Sequence, residues 1–137
     1  MRLELQARTE LTLKTLQALS DRRRWRGAAL GERVGSSAAY TAHIVAPLTR
    51  AGWVTSVPGP TGGYELIVEL DTVSLHDLIE LVEGPTDDGR CVLVDRPCGT
   101  PDLCALHDAW TSARTALITE LQSMPLAQII QEEEIQP

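Results

Sequence analysis

The order of signals along the chain predicts a mostly α fold, a winged helix-turn-helix with a two-stranded wing followed by a long C-terminal helix. Three observations carry this reading. Two short helical segments meet at a turn around Gly35, a Gly/Pro-rich hairpin follows them at once, and an apolar-striped segment runs from about Leu103 to Gln122.

The first helix is read from Leu11, Leu16 and Leu19, helped by Leu5, Leu13 and Ala18, which recur at helical spacing up to the polar break Ser20-Asp21-Arg22-Arg23-Arg24. Ala28 to Val34 reads as a short helix ended by Gly35, and Ser36-Ser37 can cap a helix from about Ala38 to Ala51. Two short helices at a tight turn form a helix-turn-helix, whose second helix lies in a DNA major groove and offers its N-terminal residues to base edges. Gly52 stops that helix, Trp53 to Val57 alternates like a strand, Pro58 to Gly63 is turn chemistry throughout, and Tyr64 to Val68 returns as the partner strand. Helix, turn, helix and hairpin is the order of a winged helix, with the wing tip against the DNA backbone or minor groove.

Further on, Ser74 and Asp77 stand three apart as in a capping box, opening a helix whose apolar face is Leu75, Leu78, Ile79 and Val82. Gly84 and Pro85 end it, and Thr86 to Gly89 is a polar loop. The stripe Leu106, Trp110, Ala113, Leu117 and Leu121 belongs to a helix longer than the body can cover, so a second copy is expected on it and the segment is read as a dimerisation helix. Ser123-Met124-Pro125 closes it, Leu126 to Ile130 is a short apolar turn or helix, and Glu132-Glu133-Glu134 is a solvated tail. The expected organisation is a winged-helix DNA-binding unit over 1–85, a loop over 86–107 and a dimerisation helix with tail over 103–131.

The net charge of −7 would argue against nucleic acid, but it is unevenly spread. Residues 1–64 hold nine basic side chains against four acidic ones, a balance of +5 that leaves −12 for the remainder. A basic front half fits an anionic partner. No apolar run approaches the length of a bilayer span, and the N-terminus lacks the layout of an export signal, so a cytoplasmic protein with no membrane partner is expected.

Three cysteines in such a chain suit metal ligation or a redox role better than a disulfide framework. Cys91, Cys98, Cys104 and His107 follow the spacing C-x6-C-x5-C-x2-H. Three thiols and an imidazole are also a structural zinc recipe, yet zinc ligands usually arrive as close C-x2-4-C pairs, and the wider spacing here suits an iron-sulfur cluster. Cys104 and His107, three apart, are expected to share one face at the start of a helix, where thiolates are favoured by the helix N-terminus. Nothing in the chain reads as an enzyme. It has no glycine-rich nucleotide loop of the right form and no Cys-x-x-Cys, and its histidines His43, His76 and His107 lie in three separate segments. A regulator using its cysteines as thiol switches is the second reading.

Met1-Arg2-Leu3, Ala46-Pro47-Leu48-Thr49-Arg50-Ala51-Gly52-Trp53-Val54, Gly59-Pro60-Thr61-Gly62-Gly63-Tyr64 and the run Ser74 to Pro85 together resemble the landmarks of the IscR/NsrR family of winged-helix regulators, in the same order and over residues 1 to 128. The resemblance implies a homodimeric transcription factor that binds a near-palindromic double-stranded DNA operator and holds an iron-sulfur cluster on Cys91, Cys98 and Cys104. For the fourth ligand it offers either a His at the position of His107 or an acidic residue near a partner's N-terminus. Arg8 stands near that second position and cannot ligate, which favours His107 and a 2Fe-2S cluster over 4Fe-4S. The cluster would sense redox state, nitric oxide or iron-sulfur status.

On this reading the DNA contacts are Ser36, Ser37, Tyr40, Thr41 and His43 on the recognition helix, Arg2 and Arg50 to phosphate, and Gly59, Thr61, Gly62 and Gly63 in the wing. The chain departs from its relatives at Pro58, where many carry a wing arginine, and at Ala42, where some carry a base-contacting acid.

Overall fold

The computed structural model describes residues 3–99 and 101–132. In chain order these form α1 (Ala7–Leu19), α2 (Gly27–Val34), α3 (Ala38–Arg50), β1 (Val54–Val57), β2 (Gly63–Leu66), α4 (Leu75–Glu83), α5 (His107–Gln122) and α6 (Leu126–Glu132). The mostly α winged-helix expectation holds. Arg2, Glu133 and Glu134, to which roles were given above, lie outside the described residues.

Helix α1 buries Leu13, Leu16 and Leu19 as expected, joined by Thr9, Thr12 and Thr15, while Leu5 is exposed and Leu11 only partly covered. The threonines are tolerated because each hydroxyl has a partner. Thr12 donates to the Arg8 carbonyl at 2.7 Å, Thr15 to that of Leu11 at 2.8 Å, and Thr9 to the carboxylate of Glu83 on α4. Helix α2 stops at Gly35, whose φ of 73° places it in the left-handed region that a C-terminal cap requires. Ser37 caps α3 by accepting from the Tyr40 amide at 3.1 Å. Pro47 sits inside α3, where its missing N–H leaves the His43 carbonyl without a helical donor.

Strands β1 and β2 pair antiparallel in the register Val54 with Leu66 through Val57 with Gly63. The wing is anchored on its inner side by Trp25, which exchanges both backbone hydrogen bonds with Tyr64, at 2.8 and 2.7 Å. Helix α4 opens with the full capping box expected, Ser74 and Asp77 each bonding the other's backbone amide. Leu75, Leu78, Ile79 and Val82 then enter one core with Leu16, Leu19, Leu30, Val45 and Leu48.

The C-terminal helices depart from expectation in phase. Helix α5 begins at His107, not Leu103, and Leu103 and Leu106 stay exposed. No residue of α5 is buried. Its partly covered stripe is His107, Trp110, Arg114, Ile118 and Leu121, so Leu106, Ala113 and Leu117 face outward instead of joining Trp110 and Leu121. Helix α6 then returns to the body. Leu126 and Ile130 are buried in the same core, the Leu126 amide donates to the Val73 carbonyl at 2.9 Å, and Gln17 of α1 donates to the Ile130 carbonyl at 3.3 Å.

Candidate nucleic-acid interface and cysteine centre

The helix-turn-helix is closed by a close approach at Gly31, where an added Cβ would stand 2.7 Å from the Ser36 carbonyl oxygen and 3.0 Å from Thr41 Oγ1. That approach turns Thr41 inward. It is 1% exposed and its hydroxyl donates to the Ser37 carbonyl at 2.8 Å, so Thr41 holds the turn and is not a DNA contact. Ser36 is half-buried, while Ser37, Tyr40 and His43 lie on the outer face of α3, the two rings stacked with centroids 5.9 Å apart.

In the wing, Gly59 and Thr61 are exposed at the tip. Gly62 is buried, and a Cβ there would fall 1.9 Å from the Val57 carbonyl oxygen. Gly63, at φ 141°, is held against the Trp25 carbonyl, 2.3 Å from where its Cβ would lie. Those two glycines close the hairpin, with no room for a side chain at either position.

The run of arginines after α1 is largely committed to the protein itself. Arg22 pairs with Glu69 at 2.8 Å, Arg23 with Asp21 at 2.8 Å, and Arg24 with Glu65 at 3.5 Å. Among the described residues Arg26, Arg33 and Arg50 are exposed and have no ion pair, and they stand at the start of α2, the end of α2 and the end of α3. Their charge is available to phosphates. Arg26 and Arg33 are uncommitted cations that the motif reading did not single out, and the signal for them was their place at helix ends beside the turn.

Behind this unit, Thr86 is held by Glu80, accepting from the Thr86 amide at 3.0 Å and its hydroxyl at 2.7 Å, while His76 Nε2 lies 3.0 Å from the same hydroxyl. These bonds from Thr86, with the nearby His76, hold the Glu80 carboxyl below its ordinary pKa. The next residue, Asp87, takes Arg114 of α5 at 3.0 Å.

The cysteine segment is a small hairpin, closed by the Cys98 amide on the Gly89 carbonyl at 2.8 Å and the Cys91 amide on the Arg96 carbonyl at 2.9 Å. Cys104 precedes α5, and the His107 amide donates to its carbonyl at 3.1 Å, so the two share a turn rather than a helical face. Cys98 Sγ lies 3.1 Å from His107 Nδ1, and Cys104 is near enough to Cys91 to help lower the pKa of that thiol. The amides of Leu93 and Val94, then Cys104 and the charge of Arg96, hold the Cys91 thiol below its ordinary pKa. All three cysteines are half-buried and none is in a disulfide. Among the described residues no three or more Cys, His, Asp or Glu side chains surround one point closely enough to hold a single metal ion. Valines 92 and 94 with Leu93 lie exposed on the hairpin beside Leu103 and Leu106.

Within the described residues no helix is long and apolar enough to cross a membrane. The chain is 31% identical over 107 residues to the ORF2 HTH-type transcriptional regulator of Azotobacter vinelandii, covering 78% of this chain and 65% of that one. It is 29% identical over 106 residues to the HTH-type transcriptional regulator IscR of Vibrio vulnificus, covering 77% of this chain and 62% of that one. The chain thus matches just under two thirds of the length of these relatives. Its fold matches that of CymR, the global cysteine regulator of B. subtilis, with a TM-score of 0.74 at 24% identity, over 97% of this chain and all of the other. The family described as Rrf2, iron-dependent transcriptional regulator, matches residues 5–132, and the chain belongs to it.

Proposed function

We propose that this chain is a dimeric DNA-binding transcription regulator that holds a 2Fe-2S cluster on Cys91, Cys98, Cys104 and His107 and changes its operator affinity with the state of that cluster. The observation that carries the cluster is the approach of Cys98 Sγ to His107 Nδ1 at 3.1 Å, with Cys104 near enough to Cys91 to help lower its pKa. A zinc ion needs its ligands around one point. A two-iron cluster needs two protein ligands on each iron, and one iron can take imidazole. Cys91 with Cys104 would serve one iron and Cys98 with His107 the other, and the lowered pKa of Cys91 favours the thiolate that ligation requires. Bound there, the cluster would supply reversible one-electron and ligand-loss chemistry.

Residues 1–85 present the recognition helix and wing, 86–107 form the cluster loop, and 103–131 supply the dimer contact through the outward face of Leu106, Ala113 and Leu117. The Thr86–Glu80 and Asp87–Arg114 contacts join the loop to α4 and α5, which is the route by which loop order reaches the spacing of two recognition helices. A coupling of about 1 to 3 kcal/mol changes occupancy by roughly 5 to 150 fold. A cytoplasmic location accompanies this role.

The Cys91–Cys104 contact favours a second reading, a thiol switch in which a hydroperoxide oxidises the pair to a disulfide and is itself reduced to water and an alcohol. Anaerobic purification with visible absorption and iron and sulfide analysis separates the two, using Cys98→Ala as the comparison. Colour with iron and acid-labile sulfide, lost in the variant, is the expected result. Colourless protein holding one zinc would make the site structural, and colourless, metal-free protein after reconstitution would leave the thiol switch.

A further inference from the structure

The first two turns of α3 turn Ser37, Ala38, Ala39, Tyr40, Ala42 and His43 to solvent, while Thr41, Ile44 and Val45 enter the core. That outer face carries no Arg, Lys, Asn or Gln. Those are the side chains that read guanine or adenine edges through paired hydrogen bonds. The Ser37 oxygen already accepts from the Tyr40 amide, and the Tyr40 ring is stacked on His43 with an interplanar angle of 30°. What is left at the centre of the face is methyl groups. Ala38 and Ala42 are four residues apart and Ala39 and Ala42 three apart, so the three form one continuous patch about a turn long.

A methyl side chain has nothing to offer a hydrogen-bonding edge, but its shortness lets the helix approach the groove floor closely. The feature of a base pair that complements it is the C5-methyl of thymine, which only the major groove displays. We infer that the recognition helix of this chain selects its operator by packing Ala38, Ala39 and Ala42 on thymine methyl groups, with the cations at Arg26, Arg33 and Arg50 supplying sequence-independent hold on the backbone. Each half-site should then carry thymines at one or two fixed positions in the major groove. The inference rests on the DNA-binding reading above and is independent of the cluster.

The test selects duplexes from a random library with the whole purified chain, then remakes the best duplex with deoxyuridine in place of each thymine in turn. Deoxyuridine keeps base pairing and every hydrogen-bonding edge and removes only the methyl. The expected result is an affinity loss of about fourfold at one or two thymines per half-site, the effect of one buried methyl-sized group. Ala42→Gly should abolish the loss at one of those positions, and the melting curve of the variant checks that it is folded. Enriched duplexes whose affinity stays within twofold at every substituted thymine would overturn the inference alone. Failure to enrich any duplex would overturn the DNA-binding reading and the inference with it.

Discussion

At the scale of single residues, the wing depends on two positions where a side chain has no room. In Gly63→Ala the new Cβ would meet the Trp25 carbonyl at 2.3 Å, at a φ of 141° that L side chains rarely adopt. Such strain costs about 1 to 3 kcal/mol. The variant should melt about 3 to 15 °C lower, read by circular dichroism, and an unchanged melting temperature would show that Trp25 and Tyr64 do not clamp the wing. A second residue-scale prediction concerns Cys91 in metal-free protein. Its lowered pKa keeps the thiolate populated below the ordinary thiol value of 9.0, so at pH 7 it should alkylate faster in the folded chain than in urea. The advantage should fade as the pH rises past that value, where the unfolded thiol ionises too. Peptide mass spectrometry after brief iodoacetamide treatment reads both. Caps such as Ser37 and the Ser74–Asp77 box were legible because their chemistry is complete within four residues. The inward packing of Thr41 and Gly62 was not legible, because the direction each faces is set by packing against Gly31 and Val57, and no local pattern carries that.

At the scale of elements, the same distinction separates existence from phase. Helical periodicity located α2, α3 and α4 to within a residue or two, and the turn residues located the hairpin. For α5 the stripe read from periodicity divides in the single chain, where Trp110 and Leu121 are partly covered with Arg114 and Ile118 while Leu106, Ala113 and Leu117 stay exposed. Arg114 on that covered side pairs with Asp87 at 3.0 Å, beside the partly covered Trp110, Ile118 and Leu121. An exposed pair of this kind contributes about 1 kcal/mol or less to stability. Arg114→Ala should therefore leave the melting temperature nearly unchanged while shrinking the difference in DNA affinity between cluster-loaded and cluster-free protein. Equal differences in variant and parent would remove the pair from the coupling route. Ser74→Ala should behave oppositely, costing about 1 kcal/mol of stability through its lost cap.

At the scale of the whole molecule, an acidic protein must meet DNA through a few uncommitted cations. Arg26→Ala, Arg33→Ala and Arg50→Ala should each lower the slope of log affinity against log salt by about one, across all sequences alike. A slope that does not move would take that arginine off the interface. The outward row on α5 makes the matching prediction for the proposed dimer: the parent chain should scatter light as a dimer and Leu117→Glu as a monomer, with little loss of helix signal. One further property follows from the way α6 folds back. With Leu126 and Ile130 locked in the core, α5 is pinned at its Pro125 end, while its His107 end meets the cysteine hairpin through Cys98. A helix of 16 residues is about 24 Å long, so a displacement of about 3 Å at the hairpin is a swing of roughly 7° about the pinned end. The chain thus contains a lever with its fulcrum buried, whose short stroke at the cysteines becomes a change of angle along the whole arm.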